Sequence, residues 1–112
     1  MSSVSTHVLD LVKGGPAQRV PVTLEEQVNG QFVQIAHGLT DADGRVKDLI
    51  PRGSEVHGTF RITFDTDAYF ATQKITGFYP SVSILFRIPT PGEHYHVPLL
   101  LGPYGYSTYR GS

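Results

Sequence analysis

The chain has 112 residues, a formal charge of −1 with its histidines neutral, and no cysteine. This length suits one hydrophobic core, so a single domain over residues 1–112 is expected. The charge balance excludes the basic surplus that nucleic acid or an anionic membrane demands, and the missing thiols exclude disulfides, a thiolate nucleophile and cysteine-ligated metal.

The first strand is predicted over Ser5 to Leu11, just after Val4, in a stretch dense in β-branched residues. Alternation puts Thr6 and Val8 on one face and Ser5, His7 and Leu9 on the other. Lys13-Gly14-Gly15-Pro16 is a turn. A second strand runs from Val20 to Val28, with Val20, Val22 and Leu24 on its apolar face and Thr23, Glu25 and Gln27 on its polar one. Asn29-Gly30 is a strong hairpin signal, because both turn positions need positive φ. The third strand is predicted over Gln31 to Leu39, with Val33, Ile35, His37 and Leu39 sharing a face.

Thr40 to Arg45 reads TDADGR, whose aspartates and glycine suit an Asx turn. Its spacing resembles the start of a calcium loop, but the later ligands are absent. Arg45 opens a short segment, Val46 to Ile50, ended by Pro51-Arg52-Gly53. Gly58 to Asp65 is a strand with Phe60, Ile62 and Phe64 inward. Asp65-Thr66-Asp67 supplies N-cap oxygens, and one short helix is predicted over about residues 67–74. Phe70, Phe78 and Tyr79 are expected in the core. Ser81 to Ile88 is a strand with Val82, Ile84, Phe86 and Ile88 on one face. Thr90-Pro91-Gly92 turns into a strand from His94 to Leu99, and Tyr104 to Tyr109 is the last. Short strands, frequent Gly/Pro turns and one helix argue an all-β sandwich of two antiparallel sheets; periodicity leaves a closed barrel as the alternative.

Several residues have chemistry to offer. His94 and His96 share a strand face, a spacing that suits zinc with His7 as a third ligand, or general acid/base work, or plain surface histidines. His7 lies mid-strand among apolar neighbours, where a buried, hydrogen-bonded ring is the simpler reading. Arg45 and Arg110 are isolated cations. Tyr104, Tyr106 and Tyr109 suit packing in a core or interface. No nucleotide loop or nucleophile elbow is present. No run approaches the ~18 apolar residues of a membrane span. Met1-Ser2-Ser3-Val4 lacks a secretory start, so a cytoplasmic protein is expected.

Four stretches carry a family resemblance. They are Ser5-Thr6-His7-Val8-Leu9-Asp10 with its Gly-Pro turn, the TDADGR loop, HYHVPLLL from His94 to Leu101, and YGYSTYRGS from Tyr104 to Ser112. With these, the chain resembles the transthyretin-like 5-hydroxyisourate hydrolases of urate degradation. Transthyretin proper shares the fold but differs at the first-strand histidine, the loop arginine, the second histidine and the tail tetrapeptide, all present here.

The resemblance implies a transthyretin-like β-sandwich of two four-stranded sheets with one short helix. It implies a homotetramer, a dimer of dimers with active sites where dimers meet. It also implies metal-independent hydrolytic opening of 5-hydroxyisourate to 2-oxo-4-hydroxy-4-carboxy-5-ureidoimidazoline, on the way to allantoin. No cofactor, metal, nucleic acid or membrane is expected as a partner. The implied catalytic residues are His7, Arg45, His96 and Ser112, the last through its hydroxyl or its carboxylate. Tyr109 and Arg110 join them in binding substrate. His7 is favoured as the base, and His94 is given no catalytic role.

Overall fold

Strand alternation sets the layers of this structure, a computed structural model that describes residues 3–50, 56–90 and 92–112. In chain order the strands are β1 (Ser3–Asp10), β2 (Gly15–Pro16), β3 (Pro21–Val28), β4 (Gln31–Leu39), β5 (Arg45–Val46), β6 (Gly58–Phe64), β7 (Val82–Ile88), β8 (His94–Gly102) and β9 (Gly105–Thr108). Helix α1 (Thr66–Ala71) lies between β6 and β7. The expected turns at Pro51-Arg52-Gly53 and Pro91 fall on residues outside those described, as do Met1 and Ser2. Among the described residues no helix is long and apolar enough to cross a membrane.

One sheet has the order β4-β3-β6-β7 and is antiparallel throughout. In the other, β1 lies between β8 and a shared edge taken by β5 and β2, and β9 flanks β8. Each sheet therefore has four strand positions. The expectation of purely antiparallel sheets fails at one pairing: β1 and β8 run parallel over their length. No hairpin joins them, because the chain crosses to the other sheet in between, so turn chemistry never specified their direction.

The inward faces match the pattern. Val4 and Val8 of β1 and Tyr95, Val97 and Leu99 of β8 are buried against Leu24, Phe60, Ile62 and Phe64 of the opposite sheet. Thr6 shares that face because its hydroxyl donates to the Val97 carbonyl at 2.6 Å. Burying a Leu or Phe contributes roughly 1.5–3 kcal/mol, so a one-residue slip that turned this face outward would be very costly.

Three further expectations need correction. In β4, Leu24 opposes Ala36 but Glu25 opposes Gln34, so Ile35 is an extra residue. That bulge reverses the alternation. Val33 and Leu39 are 50% and 52% exposed, and His37 is exposed too, instead of forming one face with Ile35. The helix starts as expected, with the Asp65 carboxylate accepting from the Ala68 N–H at 3.0 Å. It ends at Ala71, short of 74, because Gln73 and Lys74 donate to the carbonyls three residues back and Lys74 takes a φ of 58°. Phe70 is in the core, but Phe78 and Tyr79 are 70% and 38% exposed. They instead form an edge-to-face aromatic row with Tyr106 outside the core.

Asp10, buried at the end of β1, ties the sheet to α1. Its carboxylate accepts from the N–H groups of Val12 and Lys13 at 2.9 and 3.1 Å and from the Tyr69 hydroxyl. Burial, and then the Asp10 hydrogen bond, push the Tyr69 phenol from 10.0 up to about 12. Tyr69→Phe should cost about 2 kcal/mol in urea unfolding, the range for a hydrogen bond to a charged acceptor. Because the folded phenol's pKa is raised, its contribution is complete below pH 10 and is lost as pH rises towards 12. The gap between wild type and Tyr69→Phe should therefore narrow across that window.

Candidate active site

The outer face of the β1–β8 pair collects the polar side chains that the core excludes. Ser3, Ser5 and His7 of β1 and His94 and His96 of β8 alternate with the buried residues of those strands, so all five lie on it. Parallel register sets Ser3 beside His94, Ser5 beside His96 and His7 beside Pro98. Across the other edge of β1, Arg45 lies directly opposite His7. Across the far edge of β8, Gly111 bridges His96, its N–H donating to the His96 carbonyl at 2.8 Å. Arg45, His7, His96 and the tail thus cross the sheet in one oblique row.

The turn before β5 delivers Arg45. Asp41 Oδ1 accepts from the backbone N–H groups of Asp43 and Arg45 at 2.9 and 3.0 Å, as an Asx turn should. The Arg45 N–H, ahead of that of Asp43, holds the Asp41 carboxyl below its usual range. Gly44 has a φ of 76°, and its carbonyl accepts from the Val8 N–H at 2.7 Å. A side chain there would collide with the Val8 carbonyl oxygen, so glycine is required on both counts. The Asx turn thus stitches β5 to β1.

His96 is held between a serine and the tail. Its Nδ1 lies 2.7 Å from Ser5 Oγ, which leaves Nε2 for chemistry. Burial first, then the Arg45 guanidinium, then His94 and His7, hold it below the ordinary histidine value. That environment favours the neutral ring. The tail passes so close that a Cβ on Gly111 would sit 2.5 Å from His96 Cδ2. Beside the row, a cavity of about 420 Å³ is lined by Ser5, Thr6, Asp43, Arg45, Lys47 and His94.

The remaining residues divide. Ser112 is exposed and directly follows the bridged Gly111. Arg110 turns off the histidine face: its guanidinium lies 4.8 Å from the Tyr95 ring centroid and 3.6 Å from Glu93. Tyr109 and Arg110 line a second cavity, about 340 Å³, between β7 and β8, and His96 lines it too. The ring nitrogens of His94 lie 2.6 Å from Ser3 Oγ and 3.0 Å from Ser5 Oγ. Among the described residues, no group of three or more His, Asp or Glu is arranged to hold a metal ion.

Sequence reasoning overlooked Ser5 and Gly111. Alternation did put Ser5 on the face of His7. Only the parallel register places it between two histidines 89 and 91 residues away.

The HIUase/Transthyretin family profile matches residues 4–111. The chain belongs to this family. A 5-hydroxyisourate hydrolase of Salmonella typhimurium is 46% identical over 109 residues, spanning 97% of this chain and 80% of that one. The crystal structure of sea bream transthyretin in complex with thyroxine superposes with a TM-score of 0.91 at 35% identity, covering 97% of this chain and 94% of that one. Klebsiella pneumoniae 5-hydroxyisourate hydrolase gives a TM-score of 0.85 at 34% identity, covering 98% and 99%. Within the HIUase/Transthyretin family, backbone likeness alone does not separate a hydrolase from a thyroxine-bound relative; the side chains on the outer face have to.

Followed by NMR, the His96 ring should titrate below the ordinary 6.5. Arg45→Gln removes a nearby positive charge and should move that titration upward.

Proposed function

We propose that this member of the family is a 5-hydroxyisourate hydrolase, opening the six-membered ring of its substrate at a cyclic amide C–N bond. The observation that carries the reading is the strand register, which aligns a guanidinium, two imidazoles and a glycine-bridged tail on one face. The 46% identity to a hydrolase of that name supports it. All of these residues belong to a single domain over 1–112.

The chemistry has three demands: water must lose a proton as it attacks, charge on the carbonyl oxygen must be stabilised, and the departing nitrogen must gain a proton. His96, neutral and with Nδ1 held by Ser5, takes the water proton at Nε2. His7, one diagonal step away, orients the water. This gives the base to the ring whose surroundings resist charge, in place of His7. Arg45, held opposite His7, presents a planar donor fork to the ring carbonyls and the developing oxyanion. Tyr109 and Ser112 close the site and position substrate, Arg110 braces the tail through Tyr95 and Glu93, and Gly111 packs closely over His96. No metal or organic cofactor takes part.

The working form in this proposal is a homotetramer, a dimer of dimers with the histidine faces lining the channel. β7 and β9 each leave one edge unpaired among the described strands, as association through sheet edges requires. Leu85, mostly exposed, offers apolar surface nearby. A thyroxine-type carrier is the second reading, favoured by the sea bream likeness. The polar lining of the outer face, with Asp43, Arg45, Lys47 and His94, suits a polar heterocycle better than an apolar hormone.

His7→Ala, His96→Ala, Arg45→Lys and deletion of Tyr109 to Ser112 should each lower kcat/KM by about 10²–10³. Light scattering should find all four still tetrameric. The assay is the decay of freshly generated 5-hydroxyisourate absorbance against its spontaneous rate. Wild-type protein that leaves that rate unchanged would end this reading.

A further inference from the structure

His96 poses a problem for the mechanism. Its surroundings oppose a positive charge, yet it must carry a proton between water and the leaving nitrogen. The structure holds a way round this on the side of the ring away from Nε2. Ser3 Oγ lies 2.6 Å from His94 Nδ1, His94 Nε2 lies 3.0 Å from Ser5 Oγ, and Ser5 Oγ lies 2.7 Å from His96 Nδ1. These four side chains form one continuous hydrogen-bonded chain. It begins at His96, partly covered by the tail, passes through His94, which is exposed, and ends at Ser3. Ser5 itself is 9% exposed, so water does not compete freely for its hydroxyl.

A hydroxyl holds one proton, so Ser5 can donate to only one of its two histidines at a time and must accept from the other. The chain therefore has two self-consistent senses. In one, His96 Nδ1–H donates to Ser5, Ser5 donates to His94 Nε2, and His96 Nε2 is a bare acceptor. In the other, His94 Nε2–H donates to Ser5, Ser5 donates to His96 Nδ1, and His96 Nε2 carries a hydrogen. Reversing the chain turns His96 from base to acid while its ring stays neutral.

We infer that Ser5 and His94 are positioning residues forming a proton relay behind His96, with His94 holding the proton between the two halves of the reaction. This inference rests on the hydrolase reading. As water adds to the carbonyl carbon, its proton moves to His96 Nε2. The Nδ1 proton moves to Ser5, and the Ser5 proton moves to His94 Nε2, leaving the positive charge on the exposed imidazole. As the C–N bond breaks, its electron pair stays on nitrogen, which takes the His96 Nε2 proton. Ser5 then returns a proton to His96 Nδ1, and His94 returns one to Ser5. The water proton ends on the leaving nitrogen, and the relay is reset. Exposure gives His94 a solvation that His96, beside Arg45, lacks.

Two measurements test the relay in the intact protein. The first is a proton inventory: turnover in H₂O/D₂O mixtures with 5-hydroxyisourate as substrate. Wild type should give a curved plot, the mark of several protons in flight. Ser5→Ala should give a straight one and a kcat lower by about tenfold to a hundredfold, the loss typical when the outer hydrogen-bond partner of a metal-bound histidine is removed. Ser5→Thr, which keeps a hydroxyl and suits a strand, should restore both, and His94→Phe should match Ser5→Ala. A Ser5→Ala enzyme that is slow but keeps the curved plot has lost only packing, and that overturns the relay.

The second readout needs no activity. Nitrogen NMR of the imidazoles should show His96 switching from the Nδ1–H to the Nε2–H form as His94 gains its proton, and Ser5→Ala should uncouple the two. Arg45 from β5 and His7 from β1 act on His96, Asp43 and Lys47 line the cavity beside His94, and Glu93 and Arg110 pair with each other near the tail. The same titration in Arg45→Gln separates their field from the relay: coupling should persist at a shifted midpoint. Uncoupled rings in wild type overturn the relay. Wild type that fails to speed substrate decay while the rings stay coupled overturns the hydrolase reading instead.

Discussion

The parallel ladder between β1 and β8 is the constraint on which the rest depends. It joins residues ninety-odd positions apart along eight consecutive partners, from Ser3 with His94 to Asp10 with Leu101. Two strands of this length, each with one face buried, have a single acceptable phase, because a slip by one would exchange Val4, Thr6 and Val8 for Ser5, His7 and Leu9 in the core. The hydrophobic effect thus sets which residues point outward, and the ladder sets which of them meet. The positions of the polar groups follow from the packing of the apolar ones.

That coupling explains why the outer face is exact where a loop-built site would be loose. Arg45 is placed by a backbone pairing with His7 and by an aspartate-capped turn whose glycine fits against the Val8 carbonyl. Gly111 is placed by a pairing with His96 and by the lack of room for any side chain. Both flanking elements are short and contribute little burial themselves. They borrow their rigidity from β1 and β8, whose inward side chains are fixed in the core.

Electrostatics then differentiates two histidines that look equivalent in the sequence. His94 and His96 stand two residues apart on one strand with their rings stacked at 6.4 Å. The tail covers one and leaves the other exposed, and the loop arginine depresses the one it approaches. Serines that read as unremarkable strand residues link the two rings. A fold shared with a thyroxine-bound relative can in this way carry an unrelated chemistry, since the backbone that defines the fold leaves the outer face free to vary.

The sequence by itself determined the layers: which stretches are strands, which of their faces is apolar, where the hairpin and the Asx turn fall, and that β1 presents Ser5 and His7 together. These follow from local periodicity and turn chemistry, which neighbouring residues settle among themselves. It misjudged β4, because a bulge depends on the partner strand, and Phe78 and Tyr79, because an aromatic near a short helix reads as core whether or not the core has room. Family resemblance singled out His7, Arg45, His96 and the tail. Only tertiary structure decided that β8 runs parallel to β1, that Ser5 falls between two histidines, and that Arg110 leans on Tyr95 instead of on the imidazoles. Pairing direction and register between strands far apart in the chain are properties of the whole core, and no local stretch of residues encodes them.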